Sequence, residues 1–409
     1  MKSPFTGCIA VDDCASTWFE KLRIHATTLL YVKPTLSVLA PSLVGVKASV
    51  REEIHMECAH NRRAFMRVIG SAGIAAAALL STTVLGQAAT IKIGVSIPTL
   101  QNPFWVNAVK FAEHVAKALD VELTVVGADN REDKQLTDVQ SLLSAGVQAL
   151  VVTPQSTASA PGLIKLSDRA HVPIVVVDRY PGFEAKNADA PYVAFIGPND
   201  VSAGAEITKY LISQGAKKIV GIGGLPGSSV AEGREKGLRE GVASASGVQL
   251  VQYVSGGGES EDNGYQTMQN LLSAHPAGTI DAVWCYNDAL CLGAFRAIRQ
   301  AGRSSEIKLG GMDLVPQALD LIEQKTDYVY STGGHWLQLG FGVMVAYDKV
   351  NGHDPLKDNI RLDLLGVNSS NFATFKQQFI DNAPPYDVKQ YTLTNNPGAT
   401  SQTFPLATK

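Results

Sequence analysis

Ile174-Val175-Val176-Val177-Asp178-Arg179-Tyr180 is the stretch on which the reading of the chain turns. Four uninterrupted β-branched apolar residues suit a strand buried on both faces of a parallel sheet. The run ends directly in an acid, a guanidinium and an aromatic ring, so its polar end must lie at the rim of the sheet. In open α/β sheets ligands sit in the crevice beyond the carboxyl ends of the strands. One such strand could as easily end in an Asp-Arg pair that only solvates it. Repetition along the chain decides for function.

Outward from this run the sequence keeps one rhythm. Strand patterns at 91–96, 121–126, 149–154 and 192–196 alternate with helical patterns near 106–119, 133–145 and 161–170. The rhythm then restarts, with strands at 218–222, 250–254, 281–286 and 308–312 and helices near 201–214, 233–245 and 264–274. Such alternation specifies βαβ units with right-handed crossovers. The expected fold class is therefore α/β: two doubly wound parallel-sheet lobes joined by a three-stranded hinge. Residues 89–197 with 335–363 should form the first lobe, and 198–334 with 364–409 the second lobe and a tail. Crossings are expected near 197–200, 334–336 and 362–364.

The front of the chain reads differently. Residues 1–55 show neither periodicity nor turn-bounded strands and are expected to be a start-site artefact ahead of Met56. Asn61-Arg62-Arg63-Ala64-Phe65-Met66-Arg67 precedes an alanine-rich apolar run to about Leu85, with small residues at Gly86 and Ala88. This is the pattern of an export signal cleaved before Ala89. Its arginine pair resembles a twin-arginine signal, with the general secretory route as the alternative. The mature protein is accordingly expected in the periplasm.

Nine Lys/Arg and six Asp/Glu fall in residues 1–88, against 35 and 38 in the whole chain, so the remainder carries about six excess acids. With no basic stripe or basic-aromatic interleaving, a nucleic-acid partner is not expected. Of five cysteines, Cys8, Cys14 and Cys58 precede Ala89. Cys285 and Cys291 lack framework spacing and are expected as small buried thiols rather than a disulfide.

Two sheets facing each other would converge Asn102, Thr153, Asp178 and Arg179 from one side and Ser228, Arg234, Asn287 and Asp313 from the other. That set is rich in forked hydrogen-bonding groups and poor in nucleophiles. Phe104 and Trp105 can offer flat apolar faces to the C–H side of a sugar ring. The pattern describes a pocket for a small neutral sugar or polyol, with no cofactor, no metal and no catalytic residue. Enzyme readings fare poorly. Gly221-Ile222-Gly223-Gly224-Leu225-Pro226-Gly227 puts Pro226 in the third-glycine slot of a dinucleotide fingerprint. Neither a Gly-x-Ser-x-Gly elbow nor a His-Glu-x-x-His pair occurs. Glu259, Glu261 and Asp262 fit a solvated loop better than a glycosidase pair.

Several stretches carry a family resemblance: Thr99-Leu100-Gln101-Asn102-Pro103-Phe104-Trp105, Val177-Asp178-Arg179, Gly227 to Arg234, Met268 to Leu272, Asn287-Asp288, Leu292-Gly293-Ala294 and Gly311-Met312-Asp313. In order and spacing, over roughly residues 91–340, the chain resembles the periplasmic sugar-binding proteins of the ribose-binding type, the soluble receptors of ABC importers. The resemblance implies a hinged two-lobe fold and ligand contacts from Asn102, Phe104, Trp105, Asp178, Arg179, Arg234, Asn287 and Asp313. It also implies hand-over to a membrane permease with its ATPase, by a protein expected to be a monomer.

Three positions depart from the ribose pattern. Thr153 replaces an Asn, Glu259 falls near the place of an aromatic stacker, and His335-Trp336 stand where a Gln is expected, with Trp336 as a substitute ring. The reading therefore favours a monosaccharide or polyol over ribose itself. A receptor for chemotaxis or a sensor kinase, or a binder of a cationic or quorum-signal ligand, is the alternative. A sugar-responsive repressor would need a helix-turn-helix where the export signal stands.

Overall fold

A computed structural model describes residues 90–381, 387–404 and 406. The start site at Met56, the arginine pair, the cleavage site near Ala88 and the first three cysteines lie outside the described residues.

The first sheet contains β1 (Ile91–Ile97), β2 (Val121–Gly127), β3 (Ala149–Val152), β4 (Ile174–Val177) and β5 (Ala194–Pro198), with β11 (Asn359–Leu362) beside β5. Its order is β11-β5-β4-β3-β1-β2, and every neighbouring pair is parallel. The unbroken apolar runs of β3 and β4 are buried along their whole length, whereas β2, at the edge, is partly exposed. Helices α1 (Pro103–Leu119), α2 (Glu132–Ser144) and α3 (Ala160–Arg169) cross over this sheet. They leave an apolar core on each face.

The second lobe repeats the plan. It holds α4 (Asp200–Ser213), β6 (Lys218–Gly223), α5 (Ser229–Ala243), β7 (Gln249–Ser255), α6 (Glu261–Ala274), β8 (Ala282–Cys285), α7 (Asp288–Gln300), β9 (Lys308–Asp313), α8 (Pro316–Glu323) and β10 (Tyr328–Gly333). Strand order β12-β10-β9-β8-β6-β7 matches that of the first sheet element for element. Helix α9 (Gln338–Val350) then returns to the first lobe, and β12 (Leu365–Asn368) belongs to the second. The chain thus passes between lobes after β5, after β10 and after β11.

One edge departs from the all-parallel expectation, because β12 runs antiparallel to β10. The chain enters the second sheet from the hinge, where β10 ends, so β12 can only run away from it.

Paired glycines let the crossover helices approach closely. A Cβ on Gly264 of α6 would overlap the Leu290 carbonyl, and one on Gly293 of α7 would overlap the Glu261 carbonyl.

Two further expectations are corrected. Cys285, the last residue of β8, and Cys291, in the first turn of α7, form a disulfide with Cα atoms 5.4 Å apart. Framework spacing is not needed where a strand-to-helix turn folds six residues back on themselves. The tail, expected along the lobes and hinge and grouped from residue 364 with the second lobe, divides between them: Phe372 and Phe375 join the second lobe's core, whereas Val388, Phe404 and Leu406 join the first's. Phe404 stacks on Phe341 of α9 at 4.6 Å between ring centroids. Leu393 and Thr394 donate backbone N–H groups to buried Asp348.

Candidate functional site

The carboxyl ends of both sheets meet across a cleft at the point where each strand order reverses, which is where doubly wound sheets place ligands. Asn102, Phe104, Trp105, Asp178, Arg179, Arg234, Glu259, Tyr286, Asn287, Asp313 and His335 line one narrow cavity there, about 20 Å³ in volume. A larger hollow on the first lobe, lined among others by Asp168, Lys186, Lys349 and Asp358, opens to solvent at the amino ends of β3 and β4 and gathers none of these groups.

Local geometry delivers each side chain. Asp178 follows β4 and Asp313 ends the equivalent β9, and both adopt positive φ, 67° and 125°. Non-glycine residues rarely take such angles, and Asp tolerates the left-handed region better than most. The turn at each strand end aims a carboxylate into the cleft. Asn102 caps α1 and Asn287 caps α7: Asn102 Oδ1 accepts from Phe104 N at 3.0 Å, and Asn287 Oδ1 accepts from Leu290 N at 2.9 Å. Each cap uses its oxygen, so the amide nitrogen is left for the cavity. Phe104 packs edge-on against Trp105 and lies 4.6 Å from the His335 ring, forming an apolar wall.

The charged groups are nearly dry. Asp178 is 5% exposed, Arg234 3% and His335 1%, so the sheet rim on which they were expected is itself buried between the two lobes. Asp178 Oδ1 accepts from Gln338 Nε2 at 2.6 Å, and its other oxygen lies 3.9 Å from Arg179 Nε. Arg179 donates to the Gln155 carbonyl at 2.6 Å and reaches Glu259 across the cleft at 3.4 Å. Arg234 donates to Asp200 at 3.1 Å and to the Tyr286 carbonyl at 2.9 Å, with its guanidinium 4.6 Å from the Tyr286 ring centre.

Burial pushes the Asp178 carboxyl up against the pull of Arg179, and pushes Asp313 well up against that of Arg234. It also raises Asp200 to about 7 despite Arg234. Burial, reinforced by Arg234, drives His335 well below the ordinary imidazole range, so the ring is neutral at pH 7. Beneath the site, Asp288 accepts from Tyr328, Ser331 and the Val315 N–H, and burial lifts it to about 6.

Of the residues expected from sequence, ten line the cavity. Thr153 does not. Its backbone extends the sheet by bonding Ser96 and its carbonyl is taken by Gln135, which holds it beneath the surface. Trp336 does not either; it packs against the apolar cores of both lobes at the hinge. Ser228, buried at the start of α5, is absent from the lining as well.

Two residues escaped the sequence reading. Tyr286 was absorbed into a strand pattern, although an aromatic beside Asn287 repeats the Asn-aromatic grouping of Asn102 and Phe104. Gln338 opens α9, two residues beyond the place where the resemblance expected a Gln, and was not taken for it. Among the described residues no cluster of His, Cys, Asp or Glu could hold a metal ion. The arrangement can clamp hydroxyl groups between fixed donors and acceptors against a flat wall.

A sequence profile for the family described as "Periplasmic binding protein domain" matches residues 93–354. The ribose import binding protein of Salmonella typhimurium is 30% identical over 245 residues, covering 59% of this chain and 79% of that one. The crystal structure of the Caulobacter myo-inositol binding protein bound to myo-inositol superposes with a TM-score of 0.64 at 26% identity, covering 69% and 95% of the two chains. A solute binding protein from Actinobacillus succinogenes with bound D-allose gives 0.65 at 20% identity, covering 70% and 100%. These relatives are solute-binding proteins, not enzymes.

Proposed function

The chain belongs to the periplasmic binding protein family as a sugar-binding member of the ribose-binding type, and on that premise we propose that it captures a monosaccharide or polyol in the cleft and delivers it to the permease of an ABC importer. One observation carries the reading: the two lobes bring Asn102, Asp178 and Arg179 and, from the other side, Arg234, Asn287 and Asp313 onto a single cavity with Phe104 and Trp105 as its wall. Carboxylates accept from hydroxyls, guanidiniums and amides donate to them, and the rings cover C–H faces. Closure of the hinge buries the ligand, and open and closed forms present different surfaces to a membrane partner.

The protein acts in the periplasm, exported on the signal around Arg62-Arg63 and cleaved near Ala88. A buried disulfide within the second lobe accords with an oxidising compartment. It works as a monomer beside a permease and its ATPase, without chemistry on the ligand. A thermal-shift screen of the mature protein against pentoses, hexoses and polyols tests this. A saturable rise in melting temperature with at least one compound is expected. Silence across all three classes, or turnover of a bound compound, overturns the reading.

A further inference from the structure

The charge on the cavity narrows the ligand further, given the reading of the cleft as a sugar or polyol site. Three carboxylates, Asp178, Glu259 and Asp313, and two guanidiniums, Arg179 and Arg234, share its lining. The guanidiniums do not answer the carboxylates one for one, because Arg234 gives its Nε to a fourth, Asp200, which stands outside the lining. Arg179 is left near both Asp178, at 3.9 Å, and Glu259, at 3.4 Å.

Among the described residues Asp313 has only His335 within ion-pair distance, at 3.6 Å, and that imidazole is neutral. Four carboxyl groups thus share two fixed cations in a nearly dry space. Uncompensated buried charge is costly. The N-termini of α1 and α7 point at the cavity, but a helix end contributes only about half a charge, which softens the excess without cancelling it. Burial holds Asp178 and Asp313 above the usual carboxylate range despite the pull of Arg179 and Arg234, so protons meet part of the excess, and a ligand cation would take their place.

A second, independent feature points to hydroxyl groups on the same ligand. Arg179 Nε and His335 Nδ1 are buried without a hydrogen-bond partner, and both residues line the cavity. Paired to a ligand's oxygens, they would be satisfied.

We propose that the ligand is a sugar or polyol carrying a protonated amine, and that Glu259 receives the ammonium group. Asp178 is already engaged by Gln338 at 2.6 Å and Asp313 faces the imidazole. Glu259 stands on the loop between β7 and α6. Its contact with Arg179 is longer than the roughly 2.7–2.9 Å of a strong charge-assisted bond, so it can turn from Arg179 to a ligand. Glu259 also lines an adjoining hollow with Thr99, Asn102 and Asn263, and the amine is assigned to that end of the cleft.

Calorimetric titration of the exported protein with matched pairs tests the assignment: D-glucose against D-glucosamine, D-galactose against D-galactosamine, and myo-inositol against a monoamino-inositol. N-acetylated amino sugars serve as uncharged controls. The amine member of at least one pair should bind ten or more times tighter than its hydroxyl counterpart, and N-acetylation should abolish the advantage. In Glu259→Gln the ratio should fall toward one. Equal or tighter binding of the neutral members overturns the proposal while leaving the sugar reading intact. An amine preference that survives in Glu259→Gln overturns the role of Glu259. Silence from every pair overturns the proposal, while the broader screen of pentoses, hexoses and polyols decides the sugar reading separately.

Discussion

Asn287 performs two tasks with two atoms of one amide, and substitution can separate them. Its Oδ1 caps α7 by accepting from Leu290 N at 2.9 Å, while the side chain lines the cavity. Asn287→Ala removes both functions. Loss of the cap should cost about 1 kcal/mol of stability, and loss of the donor should weaken ligand binding about tenfold or more, since one hydrogen bond contributes about 0.5–1.5 kcal/mol and stranding its partner adds to that. Asn287→Ser keeps the cap, because Ser and Asn serve almost equally at that position. Its shorter side chain no longer reaches the ligand. The serine variant should therefore unfold within a few tenths of a kcal/mol of wild type while binding as poorly as the alanine variant. Urea unfolding of the ligand-free proteins reads the first quantity. Titration with the compound found in the sugar screen reads the second. A serine variant that binds like wild type, or that loses as much stability as the alanine variant, refutes the division of labour.

Ligand-free protein should lose stability as pH rises. Burial holds Asp200 at about 7 and Asp288 at about 6, so the folded state keeps protons that the unfolded chain, titrating near 3.8, has released. The stability present below pH 4 drains away through those two values, those two groups accounting for roughly 4 kcal/mol between pH 5 and 8, offset in part below about pH 6.5 by His335, which is neutral when folded and protonated when unfolded; a urea midpoint that rises from pH 6.5 to 8 contradicts this. Replacing Cys285 and Cys291 together by Ser opens the loop that carries Tyr286 and Asn287. It should cost about 2 kcal/mol for a closed loop this short, with weaker ligand binding in the same variant; unchanged melting and affinity would show the bridge to be idle. Gly293→Ala should destabilise by about 1–3 kcal/mol through overpacking against the Glu261 carbonyl, although alanine is the better helix former by about 1 kcal/mol. A raised melting temperature would mean the helices do not approach as closely as described.

The fold was legible where burial writes an unambiguous pattern. Residues 149–152, 174–177 and 282–285 are apolar without interruption and form central strands. The edges were not. β11 and β12 are four-residue strands, each with exposed or half-buried positions, and neither periodicity nor turn chemistry marks them. In the site, the residues that could be read were those whose type is unusual at a strand end, such as Asp178, Asn287 and Asp313. Spacing does not say which of two adjacent residues faces the cleft. Tyr286 was therefore taken for strand while Thr153, in the matching place after β3, was taken for lining. Trp336 was credited with stacking, but its size suits the gap between two cores. Gln338 and the cysteine pair depend on contacts made only after the chain has folded back.

The returning tail has a practical corollary for anyone wishing to watch the cleft shut. Residue 91 opens the first sheet, and residues 404 and 406 are packed into the same half of the molecule, so both ends of the described chain ride on one rigid body. A donor and acceptor fluorophore fused to those ends would keep a fixed separation whether the cleft is full or empty. A useful reporter needs one dye in the other half, for instance at exposed Ser246 in the turn before β7.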